Sequence, residues 1–527
     1  MHLFAQWLDQ HETFRPVVAQ LTQAVEAHRQ THPDEDFALL HHRESTLLRR
    51  FQALFFAPLF GIDRLTAFDT REHPLATLLG RGYHRSTLSQ FLGQLERVDA
   101  AEVLLPALLP AQTGSLSQEQ IPRNVLRGRA FTYVDGHMIA YWSRLAMHKG
   151  KITMLGRIMA GSQAVIAHDD AGQALFVASY PPDIHLSQVI VAYCQRVALA
   201  TGRSLFVIDR AVNSVALAQA FDAQGLGLLC MLDDNEHAGM ESFEAASVET
   251  REDGTRVYSG PWKEARTDDP RHFVIVQAAE GKTLVYWGTP QVQDALEVQE
   301  WPRVSRARNE RQEHRFKDMI DHGALKINYG RKKMCGADRH HQRKQAHLEQ
   351  SLETATKRAD KQAAALKAQQ DKVAESVANG HGKRLEQRRR TLLALEHACT
   401  EAKTTQAKCA EHVATLGPAG QRADRDFRKQ TIMTIRTLLL ENCLRTFIGA
   451  LSALLSTKVS VPQVLSLLFE RSGSRIETPS QVLYWVNSAG LSLANRRLLS
   501  EIAQGLCAMG LQEKGKPVHV RLKDLPP

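Results

Sequence analysis

Two Asp residues and one Glu stand in contexts that favour chemistry. Asp135 lies inside the aromatic and β-branched stretch FTYVDGHMIAYW, and Asp209 ends the apolar stretch SLFVID. A charge within such a strand is costly unless it is paired or binds a metal. Glu313 lies in RNERQEHRFKD, a pattern typical of a helix. Carboxylates that meet at strand ends repel one another, and Mg²⁺ or Mn²⁺ with oxygen ligands relieves that repulsion. We therefore predict that Asp135, Asp209 and Glu313 are catalytic and bind the metal.

Each acid also has an ordinary structural interpretation. Asp135 could cap a turn, Asp209 could cap the helix that follows it, and Glu313 could form a surface ion pair. Glu310 lies one turn from Glu313 and competes with it for the third position. The combination of two strand-borne acids with one helix-borne acid, beside a basic segment, favours the functional interpretation.

That basic segment runs from residue 303 to residue 344 and holds thirteen Lys or Arg against five Asp or Glu. The whole chain carries +9, so most of the excess lies in this one segment. A solvated surface and a polyanion-binding surface explain such a cluster about equally well. On the second interpretation, the residues that contact phosphates are Arg311, Arg315, Lys317, Arg331, Lys332 and Lys333.

Upstream of the acids, HPLATLLGRGYHRSTLSQFLGQLERV has the pattern of a helix-turn-helix over residues 74–97. Ser86 is the expected N-cap of its second helix. The stripe to be buried is Leu88, Phe91, Leu92 and Leu95. The residues then left exposed for DNA contact are Arg85, Thr87, Ser89 and Gln90. An ordinary helical hairpin is the alternative.

The elements that must position the acids lie between residues 128 and 300. Seven short apolar stretches predict strands, and HLSQVIVAYCQRVALAT predicts a helix between the second and the third. Strands around such a crossover helix indicate at least partly parallel pairing. His137 shares the strand face of Asp135, and we favour a core histidine over a site residue there.

Residues 338–416 show heptad-like spacing that is interrupted at ANGHGK and ends at GPAG. This pattern predicts an antiparallel coiled-coil hairpin with a weak seam, because Ala and Gln occupy many seam positions. Residues 1–60 and 424–510 read as helical, and PVHVRL as a last short strand.

The seven Cys residues are scattered and include no CxxC pair, so we expect reduced thiols in a cytoplasmic protein. Cys335 near His340 and His341 is poor support for zinc, and we expect it to be solvated. No apolar run reaches the length of a membrane span, so we expect no membrane partner.

The blocks YVDGH, FVIDRAVNS and RQEHRFKDMIDHGALKINYG resemble the three catalytic blocks of DDE transposases encoded by insertion sequences. The last block is the most specific, because Arg311, Glu313, Phe316 and Lys317 fit the pattern around that family's catalytic Glu. The strands before it are similar to the β-strand insertion of one branch of these transposases. That branch often has a Tyr and an Arg before the Glu, and Arg306 fits Glu310 better than Glu313.

The resemblance implies an α/β RNase H-like catalytic core over residues 128–335, with a β-rich insertion at about 225–300. The flanking parts would be an all-α region over 1–125, the hairpin over 338–416 and a helical C-terminal region over 420–527. The implied activity is Mg²⁺-dependent cleavage and strand transfer on double-stranded DNA, both transposon ends and target, by a homodimer assembled on DNA in a bacterial nucleoid. A non-catalytic or repurposed DNA-binding protein and an RNase H-like nuclease are the alternatives.

Overall fold

The computed structural model describes residues 1–34, 43–70, 75–109, 131–142, 146–152, 155–209, 214–232, 247–263, 270–277, 283–327, 329, 333–379, 382–418 and 420–524. It divides the chain into two compact units. The larger unit comprises residues 1–141, 161–331 and 426–527. The smaller unit comprises residues 142–160 and 332–425.

The strands of the described residues are β1 (Phe131–Ala140), β2 (Lys149–Ile152), β3 (Arg157–His168), β4 (Ala174–Tyr180), β5 (Leu205–Ile208), β6 (Gly227–Met231), β7 (Ser247–Thr250), β8 (Arg256–Lys263), β9 (Pro270–Gln277), β10 (Thr283–Gly288), β11 (Lys333–Ala337), β12 (Gln421–Arg425), β13 (Gly473–Glu477), β14 (Val482–Asn487), β15 (Gln512–Glu513) and β16 (Lys516–Lys523).

The α-helices of the described residues are α1 (His2–Gln10), α2 (Phe14–Thr31), α3 (Glu44–Phe56), α4 (Ala67–Thr70), α5 (Leu75–Leu79), α6 (Arg85–Arg97), α7 (Ala100–Leu104), α8 (Leu186–Thr201), α9 (Val215–Ala223), α10 (Pro290–Ala295), α11 (Trp301–Arg308), α12 (His314–His322), α13 (Arg339–Ala378), α14 (Gly382–Thr415), α15 (Arg428–Ser452), α16 (Val461–Val464) and α17 (Leu493–Ala508).

A mixed sheet forms the centre of the larger unit. Its strand order is β4-β3-β1-β5-β6-β10-β9-β8-β7. The β1–β5 and β5–β6 pairs are parallel, and the other pairs are antiparallel. The crossover helix α8 joins β4 to β5, as the pattern of strands and helix predicted. The architecture is therefore α/β, with helical regions before and after the sheet.

Apolar residues on the two faces of the sheet enter two separate cores. Val134, Phe206 and Ile208 belong to the core that also holds α8 and α9. Tyr133 and Val207 belong to the other core, which includes residues of α10 and α11. Neighbouring positions of a strand point to opposite faces, so Asp135 and Asp209 share the face on which α11 packs.

Helix α15 lies along the edge of the sheet at β4. The Asn442 side chain accepts a hydrogen bond from the Ala174 N–H at 2.9 Å and donates one to the Ala174 carbonyl at 2.8 Å. Toward the other end, the Thr431 hydroxyl donates to Ser179 at 2.8 Å. From Thr431 to Asn442 the helix rises roughly 16 Å. From Ala174 to Ser179 the strand also spans roughly 16 Å, so the two lengths match. The edge of β4 is thus covered along most of its length.

The smaller unit combines a few short strands with a long helical hairpin. Strand β2 pairs with residues 157–160 of β3, and β11 pairs with β12. Helices α13 and α14 pack against each other as the predicted antiparallel hairpin. Two polar residues that interrupt the heptads are paired across it: Gln369 donates to the Arg388 carbonyl at 2.9 Å, and Gln406 donates to Thr356 at 3.1 Å.

Several expectations about local structure were wrong. Residues 424–510 are not wholly helical, because β13 and β14 join β16 and β15 in a four-stranded sheet. Strand β3 was not predicted, since its Gly, Ser and Gln residues weaken the apolar pattern. Helix α6 begins at Arg85 with His84 as its N-cap residue, so Ser86 lies within the helix and does not cap it. Among the described helices, none has both the length and the apolar character needed to cross a bilayer.

Candidate functional site

Strand register brings the two Asp residues side by side. Strands β1 and β5 run parallel, and their last paired residues are Val134 and Ile208. The next position on each strand is Asp135 on β1 and Asp209 immediately after β5. In a parallel pair, residues at matched positions have side chains on the same face. Asp135 and Asp209 are therefore neighbours on two adjacent strands of the sheet.

The third acid reaches the same place through Arg308, the last residue of α11. The Arg308 guanidinium lies 3.3 Å from Asp135 Oδ2 and 3.5 Å from Asp209 Oδ1. It donates to Glu313 Oε1 at 2.9 Å. One cation therefore contacts carboxylates from two strands and one helix. Glu310 is exposed, and no contact with this group is found for it among the described residues.

A turn of π-helix makes the contact between Arg308 and Glu313 possible. Residues Asn309–Glu313 form this turn between α11 and α12. In a regular α-helix, residues five positions apart face different directions. The wider i→i+5 hydrogen bonding of a π-helix brings such residues together, and such turns are frequent at functional sites. The buried Gln312 side chain lies at 3.3 Å from both the Tyr133 and the Ile166 carbonyl oxygens, so it fixes the turn against β1 and β3.

The electrostatics of the site favour additional positive charge. The pKa of Asp135 is raised to about 6, chiefly by burial, and the neighbouring Asp209 and Glu313 carboxylates contribute to this rise. Arg308 and the Gly136 N–H, which donates to Asp135 at 2.7 Å, oppose this rise. The side chains of Asp209 and Glu313 are 39% and 48% exposed. Ions in solvent can therefore approach the group from the side of these two acids.

Two buried histidines flank Phe316 beside the acids. The His137 ring stacks on Phe316 at 5.6 Å between centroids, and the His168 ring meets Phe316 edge-on at 5.7 Å. Burial lowers the pKa of His137 to about 4 and that of His168 to about 3. Both imidazoles are therefore neutral at pH 7, and the aromatic contacts hold α12 against the sheet. The expectation that His137 is a core residue agrees with this packing, although its Nε2 has no hydrogen-bond partner among the described residues.

Whether the acids could hold a divalent cation depends on Arg308. Among the described residues, no group of three His, Cys, Asp or Glu is arranged to hold a metal ion directly. The three carboxylates face Arg308, which already supplies one positive charge. Their chemistry nevertheless fits a hard cation, since Mg²⁺ prefers carboxylate oxygens and needs only one or two from the protein. Asp135, Asp209 and Glu313 could hold Mg²⁺ if Arg308 moved aside.

The predicted phosphate contacts are placed unevenly. Lys317 is exposed, while Arg311 and Arg315 are half-buried. Arg315 packs over the turn at Gly172, where a Cβ atom would lie 2.7 Å from its Nε atom. Arg331 and Lys332 lie outside the described residues. Lys333 begins β11, but its side chain is not described.

The predicted helix-turn-helix segment does form two helices, α5 and α6. The expected stripe is buried, with Leu88, Phe91, Leu92 and Leu95 at most 1% exposed. The residues proposed for DNA contact, Arg85, Thr87, Ser89 and Gln90, are exposed or half-buried. The buried Glu96 near the end of α6 lies 3.4 Å from Lys429 of α15. This contact fixes α6 to the rest of the larger unit.

Arg308 and Gln312 were not recognised from the sequence. In the sequence, Arg308 is one of the thirteen basic residues between residues 303 and 344, and no pattern marks Gln312. A usable signal existed: three converging carboxylates need a nearby counter-charge, and Arg308 lies five residues before Glu313. Without the π-helical turn, however, that spacing argues against contact.

No protein-family model matches the chain, and no curated protein matches it either.

Proposed function

We propose that this protein is a metal-dependent DNA transposase of the DDE type. The observation that carries the proposal is the convergence of Asp135, Asp209 and Glu313 on Arg308 from three separate elements. These acids are the ones that match the family's three catalytic blocks. They lie far apart in the sequence, so chance pairing of surface charges is a poor explanation for their meeting at one point.

The topology of the sheet supports an RNase H-like assignment for the core. Its first five strands have the order β4-β3-β1-β5-β6, and the neighbouring pairs β4–β3 and β3–β1 are antiparallel. Strands β5 and β6 then continue parallel to β1. Asp209 directly follows β5, and Asp135 lies on β1 just beyond the last pair of the parallel β1–β5 ladder. Open α/β sheets commonly carry their sites at such positions.

Each side chain has a distinct part in the proposed reaction. Asp135, Asp209 and Glu313 would hold the divalent cations. Bound in pairs, such cations activate the attacking hydroxyl and stabilise the leaving oxygen at phosphorus. Once the carboxylates are engaged elsewhere, the Arg308 guanidinium is available to bind a phosphate oxygen of the substrate. The exposed Lys317 lies on the same helical segment as Glu313 and would contact the DNA backbone.

The proposed assembly includes both transposon ends and target DNA, with a homodimer holding two active sites together. The half-exposed acids leave the site open to a long, continuous substrate. The α5–α6 segment provides a second DNA-binding surface with polar side chains at the start of α6.

The decisive experiment compares cleavage and joining on DNA that includes the flanks of the protein's own gene. Asp135→Asn, Asp209→Asn and Glu313→Gln should each abolish Mg²⁺-dependent cleavage and preserve DNA binding, because each removes a ligand charge with little change in volume. Glu310→Gln is the matched control, and it should retain cleavage. Persistent cleavage by the Asp135 or Asp209 variant would contradict the proposal, and cleavage without joining would favour a nuclease.

A further inference from the structure

The segment between Asp135 and Asp169, residues 136–168, contains no Asp or Glu. Its basic residues are Arg144, Lys149, Lys151 and Arg157. A segment of this length with cations and no carboxylate has an uncompensated positive charge. Such charge favours a polyanion partner.

The cations stand on a β-hairpin whose geometry directs them to solvent. Strand β2 pairs with the start of β3, and Gly156 in their connection has a φ of +59°. Lys149, Lys151 and Arg157 are all exposed. None of the three forms an ion pair with a described residue. Their charges are therefore available to a partner.

Large apolar side chains are exposed on the same segment. Trp142 is 81% exposed, Ile158 is 72% exposed and Leu155 is 48% exposed. Ile158 is the cross-strand partner of Lys151, so the two share one face of the hairpin. An exposed apolar side chain beside an exposed cation, as at Ile158 and Lys151, is typical of an interaction surface. Proteins that bind DNA use such residues as wedges against base steps, with cations on the adjacent phosphates.

We propose that the β2–β3 hairpin is a DNA-binding element of this protein and that its partner is duplex DNA. Lys149, Lys151 and Arg157 neutralise phosphates, while Ile158 and Trp142 contact bases. The absence of any carboxylate in the segment selects DNA over a second copy of this chain, because the charge would oppose self-association. The inference rests on the proposed function only in taking DNA as the substrate.

The test measures affinity for duplex DNA across a range of salt concentrations in EDTA, so that no reaction occurs. The variant K149Q/K151Q/R157Q should lower the slope of log affinity against log salt by about 2 to 3, since each phosphate contact contributes about 0.9. The control R15Q/R29Q/K458Q removes the same charge from exposed positions elsewhere, and it should keep the wild-type slope. Circular dichroism verifies that both variants fold.

A second variant separates the apolar contacts from the charges. I158S/W142S should bind about thirtyfold more weakly or worse with an unchanged salt slope, because two base contacts are lost and no charge is removed; thirtyfold corresponds to about 2 kcal/mol. An unchanged slope in the Lys/Arg variant would overturn the inference. So would a change in oligomeric state without a change in DNA affinity, since the surface would then bind another copy. Wild-type DNA binding without cleavage in Mg²⁺ would count against the proposed function alone.

Discussion

Arg308 and Asp135 are 173 residues apart in the chain, yet Arg308 Nη1 lies 3.3 Å from Asp135 Oδ2. The same guanidinium also contacts Asp209 and Glu313. One positive charge against three carboxylates leaves the group negative when all three are ionised. The arrangement stabilises closely spaced acids in the absence of a metal, and it attracts further cations.

Replacing Arg308 with Gln should strengthen the binding of Mn²⁺ by about tenfold or more at pH 8, because the guanidinium and the ion compete for the same oxygens. Without a divalent cation, the same variant should lose about 2 kcal/mol of its free energy of unfolding, since the half-buried Asp135 loses its charged partner. Calorimetric titration with Mn²⁺ and chemical denaturation provide the two measurements.

Arg303→Gln is the matched control for that comparison. Arg303 lies on α11 like Arg308, but it pairs with the exposed Glu300. Its loss should leave Mn²⁺ affinity unchanged. Equal affinity in the Arg308 variant and the wild type would show that Arg308 and the ion do not compete.

The two buried histidines should make the protein sensitive to acid. The pKa of His168 is lowered to about 3 in the folded protein. As the pH falls, His168 is therefore protonated in the unfolded chain near pH 6.5, well before it is protonated in the folded protein. Stability is therefore lost as the pH falls below about 6.5, and His168 alone costs about 2 kcal/mol at pH 5. His168→Leu should be more stable than the wild type at pH 5. Urea denaturation at pH 8 and pH 5 measures the difference, and an identical loss in both proteins would contradict the assignment.

Asn442→Leu should destabilise the larger unit by about 3 kcal/mol. The fully buried Asn442 side chain bonds both the N–H and the carbonyl of Ala174, and Leu would leave both groups without these partners. Thermal and urea denaturation would measure the loss. The control is Thr431→Val at the other end of the contact, which should cost less because it removes one hydroxyl bond to Ser179. A loss no greater than in the control would mean that the edge of β4 is held by other contacts.

Deleting residues 345–412 and joining the ends with a short Gly-Ser bridge should leave the larger unit folded. The base of the hairpin makes a short bridge feasible, because the His341 ring lies 3.3 Å from the Leu416 carbonyl. The proposed function requires a complex that holds two DNA ends together. We expect the hairpin to bind a second protomer or the DNA in that complex, so the deletion should impair its assembly. Native gel analysis of paired-end complexes tests this. Assembly and joining at the wild-type rate would show that the hairpin has no such part.

The sequence by itself determined many of the local elements and singled out Asp135 and Asp209. Apolar runs predicted β1, β4 and β5, and the heptad-like spacing predicted the hairpin of α13 and α14, because these patterns arise from burial along a single strand or helix. Asp135 stood out within its apolar run because a buried charge is costly unless it is paired. Strand β3 was missed because its pattern is interrupted by small and polar residues, and its burial comes from neighbouring strands.

Only the tertiary structure decided how the acids meet. The choice of Glu313 over Glu310 as the acid that contacts Arg308 depends on the π-helical turn, which Gln312 fixes against β1 and β3. The covering of β4 by α15 likewise joins residues that are 268 positions apart. Such contacts depend on where a helix crosses a sheet. Local sequence patterns do not specify this crossing, because it results from the packing of the whole unit.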